Sequence, residues 1–318
     1  MKNDVYQIVT DRIIAQLEKG IIPWRKPWVG YQRNGQTIRI SAMAVSHATG
    51  KPYSMLNQLL LGRAGEYLTF KQVQEEHGSV KKGVQASIVC FWKQLPVEEK
   101  DENGNPVLDD DGKPVKKMIP FLRYYNVFHI DDCVGIKHKW DDVTKPQDIV
   151  IPADHCELIP EADELLNSYV ARENIKLFND KTTNDAFYRP YDDIINIPCF
   201  KQFKFASEYY STAFHEATHS TGHYSRLGRF EKNYNVKFGS GTYSKEELVA
   251  EIGAASICHS LGIETPASFE NSVAYIQSWL THLKDDPKMI VHAAARAEKA
   301  VAFIYGDKAK ASDSGEQE

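Results

Sequence analysis

Apolar positions near the start of the chain recur at helical spacing. Val5, Ile8, Val9, Ile13 and Leu17, closed by Gly20, predict an amphipathic helix over residues 3–19. The next segment, IIPWRKPWVG, is punctuated by prolines and loses the period. Residues 51–61 (KPYSMLNQLLL) predict a helix, and LTFKQVQEEHG a strand or turn running into a short helix. ASIVCFWKQL (86–95) and MIPFLRYYNVFHI (118–130) are β-branched and aromatic runs, the composition of buried strands. Between them PVEEKDENGNPVLDDDGKPVKK, with its N-G and D-G pairs, predicts a long exposed hairpin loop. No internal repeat is evident.

Polar, proline-containing residues 140–152 mark a domain boundary. Beyond it the pattern predicts a helix over 160–173, a β-rich stretch through FYRPYDDIINIP and a helix over about 206–222. A loop over 228–243 follows, then a helix starting after Ser244 and two more helices to about residue 305. The fold class expected is α+β in two domains. Residues 1–145 form an α+β domain carrying an acidic loop at 98–117. Residues 146–306 form a mainly helical domain with a small β-sheet, and 307–318 a disordered tail.

Composition narrows the function classes. With 25% charged residues, 42% hydrophobic residues and a mean hydropathy of −0.45, the chain has no run near the ~18 apolar residues of a membrane span. It also lacks a signal-peptide pattern, so a cytoplasmic protein without membrane contact is expected. Five scattered cysteines, none in a C-x-x-C pair, argue against a disulfide framework or a cysteine zinc site. The net charge of −5 conceals an asymmetry: residues 1–97 hold 13 Lys/Arg against 6 Asp/Glu, whereas 146–318 hold 17 against 26. A basic front half joined to an acidic back half often marks one part that faces nucleic acid.

The sharpest motif is STAFHEATHSTGH. His215-Glu216-x-x-His219 puts two imidazoles on one helix face, where both can reach one ion, with Glu216 beside them as a general base. The third ligand is open. A histidine-terminated extension of the motif fails because its last position is Ser225, and His223 lies just past Gly222, where the helix should have ended. Glu247 and Glu251 in SKEELVAEIGAA are better placed, four apart on a helix face otherwise apolar or small. Glu247 as ligand with Glu251 behind a histidine is preferred to the reverse. Each has a purely structural alternative: a Ser244–Glu247 capping box, or a salt bridge from Glu251 to Arg226 or Arg229. A His/His/Glu set takes zinc, with manganese as the other candidate. His223, Tyr224 and Arg226 are candidate oxyanion or substrate donors. The extended stretch around 191–197 is a candidate for pairing with a peptide backbone.

In the basic half, aromatic and cationic residues interleave as they do where bases stack and phosphates are tracked. The DNA-contact candidates are Trp24, Arg25, Lys26, Trp28, Arg33, Arg39, Lys51, Tyr53, Lys71, Lys81 and Lys82. The bland alternative is that most of the aromatics are core.

Both halves resemble one family. Pro27-Trp28, TGKPYSMLNQLLL (49–61), YLTFKQVQEEHGSVKKGVQASIVCFWK (67–93) and RYYNVFHIDD (123–132) are similar to the ArdC N-terminal domain, the single-stranded-DNA-binding module of plasmid antirestriction proteins and primases. RPYDDIINIP (189–198), YYSTAFHEATHSTGHYSRLGR (209–229) and YSKEELVAEIGAA (243–255) are similar to the zincin-like metallopeptidase domain that follows it. The acidic insert at 98–117 and Ser41-Ala42-Met43-Ala44, where an asparagine is expected, depart from the pattern. The resemblance implies a cytoplasmic protein of a plasmid or other mobile element that binds single-stranded DNA and helps DNA entering by conjugation escape restriction. It implies His215 and His219 as metal ligands, Glu216 as catalytic base, and Glu247 or Glu251 as third ligand. The peptidase substrate would be a host restriction or DNA-bound protein. The competing reading is a DNA-binding shield whose metal domain is structural or vestigial.

Overall fold

The computed structural model describes residues 4–25, 31–33, 36–38, 43–101, 104–109, 112–144, 157–179, 185–231, 241–263 and 273–307. Helix α1 (Val5–Leu17) starts where Asp4 accepts a hydrogen bond from the Tyr6 N–H. Of the predicted stripe it buries Val9, Ile13 and Leu17, with Val5 and Ile8 half-buried, and it buries Ile14 as well. After the short hairpin β1 (Tyr31–Arg33) and β2 (Gln36–Ile38), strand β3 (Ala44–Ser46) leads into α2 (Met55–Leu61) and the parallel β4 (Gly65–Leu68). Helix α3 (Phe70–Glu75) begins with a Thr69–Gln72 capping box. The short β5 (Ser79–Val80) precedes two long strands, β6 (Ser87–Glu98) and β7 (Lys116–His129). Strand β8 (Cys133–Val134) pairs with β5, and α4 (Asp141–Thr144) ends this half. The main sheet has the order β3-β4-β7-β6.

The two edges of that sheet are closed by one helix. Asn57 of α2 bonds both the carbonyl and the N–H of Cys90 on β6, at 2.9 and 2.6 Å. Its neighbour Gln58 does the same for Ala44 on β3, at 2.8 and 3.0 Å. Two amides in an otherwise apolar helix thereby satisfy backbone groups that an edge strand leaves open.

Strands β6 and β7 run further than the apolar runs suggest, into the polar insert. The turns at their tip repeat with a period of eight, DENGNPV (101–107) and DDDGKPV (109–115). Each opens on an aspartate that accepts the N–H four residues on, Asp101 from Asn105 and Asp109 from Lys113, both at 2.8 Å. Each uses a glycine at positive φ, Gly104 at 84° and Gly112 at 73°. The expectation of no internal repeat is corrected here: the repeat is short and too polar to register as hydrophobic periodicity.

In the second half α5 (Pro160–Glu173) has the bounds that the pattern predicts. Strands β9 (Lys176–Phe178), β10 (Phe187–Arg189) and β11 (Ile194–Asn196) form a sheet of order β10-β11-β9. Four helices follow: α6 (Ala206–Ser220), α7 (Gly241–Ser260), α8 (Val273–Asp285) and α9 (Met289–Tyr305). The architecture is the expected α+β arrangement of two domains, and the halves share one core. Trp24, Val9, Leu56, Cys90 and Leu122 from the first half cluster with Tyr169, Phe214, Leu248 and Ile290 from the second. The expected boundary, 140–152, is described only as far as residue 144, where α4 ends; the rest of it and the tail from 308 lie outside the described residues. No helix among the described residues is long and apolar enough to cross a membrane. None of the four described cysteines is in a disulfide.

Candidate metal centre

Helices α6 and α7 build the site by lying close together. Gly253 of α7 sits against Thr218 of α6, where an added Cβ would come within 2.6 Å of the threonine side chain. That approach brings Glu247, on α7, over the two histidines of α6. His215 Nε2 lies 3.4 Å from Glu247 Oε2, His219 Nε2 lies 3.3 Å from Glu247 Oε1, and the two Nε2 atoms are 3.1 Å apart. Ligand atoms held at ~2.0–2.1 Å from one ion in tetrahedral geometry sit about 3.3 Å from one another. The three donors therefore fit a single divalent cation.

A carboxylate–arginine pair braces the set from behind. Glu246 Oε1 lies 3.5 Å from His219 Nδ1 and accepts from Arg229 Nη2 at 2.7 Å. Arg229 also donates to the Thr218 carbonyl and the Thr221 hydroxyl, at 2.9 Å each. Burial raises the Glu246 carboxyl, but Arg229 and His219 outweigh it and hold the pKa down to about 2. Burial likewise opposes a charged His219, yet Glu246 and Glu247 lift its pKa to about 10. Glu247 is opposed by burial and held well below the usual carboxylate range by the two histidines. The pocket is thus set up to hold charge of both signs.

Glu216 is buried at 7% exposure and adds its negative field to both histidines. Glu251, one turn beyond Glu247, lies outside the converged set and acts on His215 through its charge. The helix starts at Gly241, not after Ser244, so Ser244 lies inside it beside His282 at 3.3 Å and the capping-box reading of Glu247 lapses. Arg229 takes Glu246, and Arg226 takes Asp193, so neither is the structural partner suggested for Glu251.

Arg226 as a substrate donor is a second correction. Its side chain is 3% exposed and its nitrogens are spent on the Ser220 carbonyl, both Asp193 oxygens and the Tyr188 hydroxyl. It ties the loop after α6 to the β10–β11 turn, where Asp193 sits at φ 52°. His223 is buried and its Nδ1 lies 2.7 Å from the Ser225 hydroxyl, away from the three ligands. Tyr224 is half exposed, its ring 4.2 Å from that of His223. A third correction concerns residues 191–197: β11 is the central strand, paired on both sides, so its backbone is not open to a peptide. The edge strand packed against α6 is β10.

Among the DNA-contact candidates Trp24 is corrected too. It is 1% exposed, packed edge-on against Trp279 at 5.9 Å, and offers no ring to a base. Lys26, Trp28 and Arg39 lie outside the described residues, as do the side chains of Arg25 and Arg33. Lys71 pairs with Glu75 at 3.4 Å, and Lys81 donates to the Asp131 carbonyl at 2.6 Å. Lys51 and Lys82 are exposed, and Tyr53 is half-buried against Tyr67 and Phe91.

Sequence reasoning missed Glu246, Asp193 and the pairing role of Arg229. The adjacent acids of SKEEL and the doubled aspartate of RPYDD were the available signals.

Both halves of the chain are similar to known proteins. Residues 3–128 match the family model of the N-terminal domain of anti-restriction factor ArdC, and 163–296 that of a zincin-like metallopeptidase. A DNA primase TraC of Escherichia coli is 31% identical over 97% of this chain, which spans 20% of that protein; a second TraC is 32% identical, with 28% of it spanned. The uncharacterized protein y4eC of Sinorhizobium fredii is 30% identical, with 97% of this chain and 94% of that protein aligned. The metal-free crystal structure of the antirestriction ArdC protein from plasmid R388 superposes with a TM-score of 0.67 at 34% identity, covering 96% of this chain and 98% of that one. Its Mn(II)-bound form gives 0.66 at 32%, covering 98% and 99%. The chain belongs to the ArdC antirestriction family, with an ArdC N-terminal domain followed by a zincin-like domain whose donors fit a divalent metal.

Proposed function

We propose that this chain protects incoming DNA in the cytoplasm through two joined activities. The first half binds single-stranded DNA without sequence preference. The second is a metal-dependent peptidase acting on host proteins at or near that DNA. The observation that carries the peptidase reading is the buried Glu216, set beside a converged His215, His219 and Glu247. A purely structural metal site has no use for an acid there.

A divalent cation, zinc by donor set or manganese, supplies Lewis acidity and a water of lowered pKa when bound. Glu216 accepts the proton of the attacking water and returns it to the leaving amine. Glu246 fixes the ring of His219, and Arg229 keeps Glu246 ionised. Tyr224, exposed on the loop after α6, is the candidate donor to a developing oxyanion, with His223 held beside it. The edge of β10 seats the peptide backbone, replacing the 191–197 stretch in that role.

The shield reading keeps one support: the shared core, which gives the second half a structural task independent of chemistry. Glu216→Ala separates the two. Metal content and thermal stability should stay at wild-type level while protection of conjugated DNA is lost. Full protection by that variant would establish the shield.

A further inference from the structure

The β6–β7 arm presents an unusual face. Directly paired residues share a side of the sheet, and the register sets Val89 opposite Tyr125, Phe91 opposite Arg123 and Lys93 opposite Phe121. Near the base of the arm this side is covered by a small cluster around Val89, Val127 and Tyr67. Farther out nothing among the described residues covers it: Phe91 is 44% exposed and Phe121 41%. The opposite side turns Cys90 and Leu122 into the core shared by both halves.

Three features single out a ligand for that face. The rings of Tyr53, Phe91 and Tyr125 follow one another at 6.3 and 5.9 Å, and Phe121 continues the row beneath the Arg123 guanidinium at 5.8 Å. Lys93 and Arg123, set by the register directly across from Phe121 and Phe91, have no carboxylate partner among the described residues, unlike Arg63, Lys71 and Lys139 in the same half. The edge of β6 leaves only a short stretch for strand pairing, because Asn57 occupies Cys90 and Pro96 has no N–H to offer. What is left is a surface that alternates rings with unpaired cations.

We propose that this face, carried by Phe91, Lys93, Phe121 and Arg123, is the track on which a single-stranded nucleic acid lies, and that the acidic double turn at the tip ends the track. Bases stack on Phe91 and Phe121 while Lys93 and Arg123 take the phosphates between them. From Phe121 to Tyr125 is about 13 Å at ~3.3 Å per residue, a footprint of a few nucleotides. Beyond Phe121 the strands run into an insert with seven acidic residues against four lysines over 98–117, a net charge of −3 that disfavours phosphate. The inference rests on the single-strand-binding reading and adds where the strand lies and what bounds it.

The test uses the full-length chain and a fluorescein-labelled 12-mer of deoxythymidine, followed by anisotropy across a salt series, with thermal melts verifying that each variant folds. Phe91→Ala with Phe121→Ala should weaken binding at least ~30-fold, from ~1 kcal/mol or more per stacked base. Lys93→Gln with Arg123→Gln should reduce the slope of log affinity against log salt by about 1.4, at ~0.7 per phosphate contact on a single strand. Neutralising the tip, Glu98→Gln, Glu99→Gln, Asp101→Asn and Asp109→Asn together, should tighten binding several-fold at low salt. Wild-type affinity and slope in both track variants would overturn the assignment, the more so if Lys81→Gln with Lys82→Gln then abolished binding. Should the wild-type chain itself fail to bind the oligonucleotide, the single-strand reading falls and this assignment with it.

Discussion

The metal centre and the β6–β7 face are built on opposite principles. At the centre the charges are buried or half-buried and set against counterparts: Glu247 between two histidines, Glu246 between His219 and Arg229, Asp193 against Arg226. On the arm the rings are half exposed and the cations have no acid beside them. A site for one ion must hold one geometry to within tenths of an ångström, and buried, cross-braced side chains do that at a desolvation cost that only complete pairing offsets. A surface for an irregular polymer needs reach and unsatisfied charge, and keeps both by staying in solvent.

The largest expected effect breaks the centre. Arg229→Ala leaves Glu246 buried with its main cationic partner gone, and removing one member of such a pair costs about 3–5 kcal/mol. Chemical denaturation should show a shift of that size. If the loss is under about 1 kcal/mol, the brace is not what holds the site. The same comparison can be drawn between two aromatics of the basic half. Trp24→Ala should cost about 3–5 kcal/mol because its indole fills the shared core. Phe91→Ala, on the exposed face, should stay within about 0.5 kcal/mol. Similar costs at both positions would mean that Phe91 is core and the track does not exist.

How legible each region was in the sequence follows from the same contrast. His215, Glu216 and His219 are local: one helical period fixes their relation, and the motif suffices to find them. Glu247 was within reach because a carboxylate on a small, apolar helix face demands a partner. Glu246 and Asp193 were not, since each acts across 17 or more residues of sequence through an arginine. The aromatic runs 86–95 and 118–130 read correctly as strands, but composition cannot say which face of a strand is covered. Four of their six rings, Phe91, Trp92, Phe121 and Tyr124, are exposed where buried strands were expected, while Trp24, a DNA-contact candidate, is core. The helix limits at α5 and the end of α9 were visible in periodicity. The start of α7 was displaced because Ser244 offers the chemistry of a cap without occupying the position of one.

Metal affinity comes next in size. Glu247→Ala removes a ligand and should lower affinity by at least about 100-fold, read by competition with a chromogenic chelator. Glu246→Gln keeps the ligands but loosens His219, and should cost about 10- to 100-fold. Glu251→Ala should leave stoichiometry unchanged. Loss of metal in that variant alone would reverse the assignment of the two glutamates.

The smallest effect concerns the tie between the site and its neighbouring sheet. Burial pushes the Asp193 carboxyl up, but Arg226 and, less strongly, Tyr188 and His223 overcome this and hold its pKa below the ordinary 3.8. A carboxyl whose folded pKa is depressed contributes stability in full above its unfolded value. That contribution fades as pH falls from about 4 through the folded value. Asp193→Asn keeps an acceptor for Arg226 and Tyr188 and loses only the charge, so its cost at pH 7 should be about 1 kcal/mol. At pH 3 the wild type has already begun to give up that advantage, so the difference between the two chains should narrow there. Parallel melts at pH 7 and pH 3 measure it. A gap that is constant or widens on acidification would show that Asp193 acts through the shape of its turn, where φ is positive, and not through its charge.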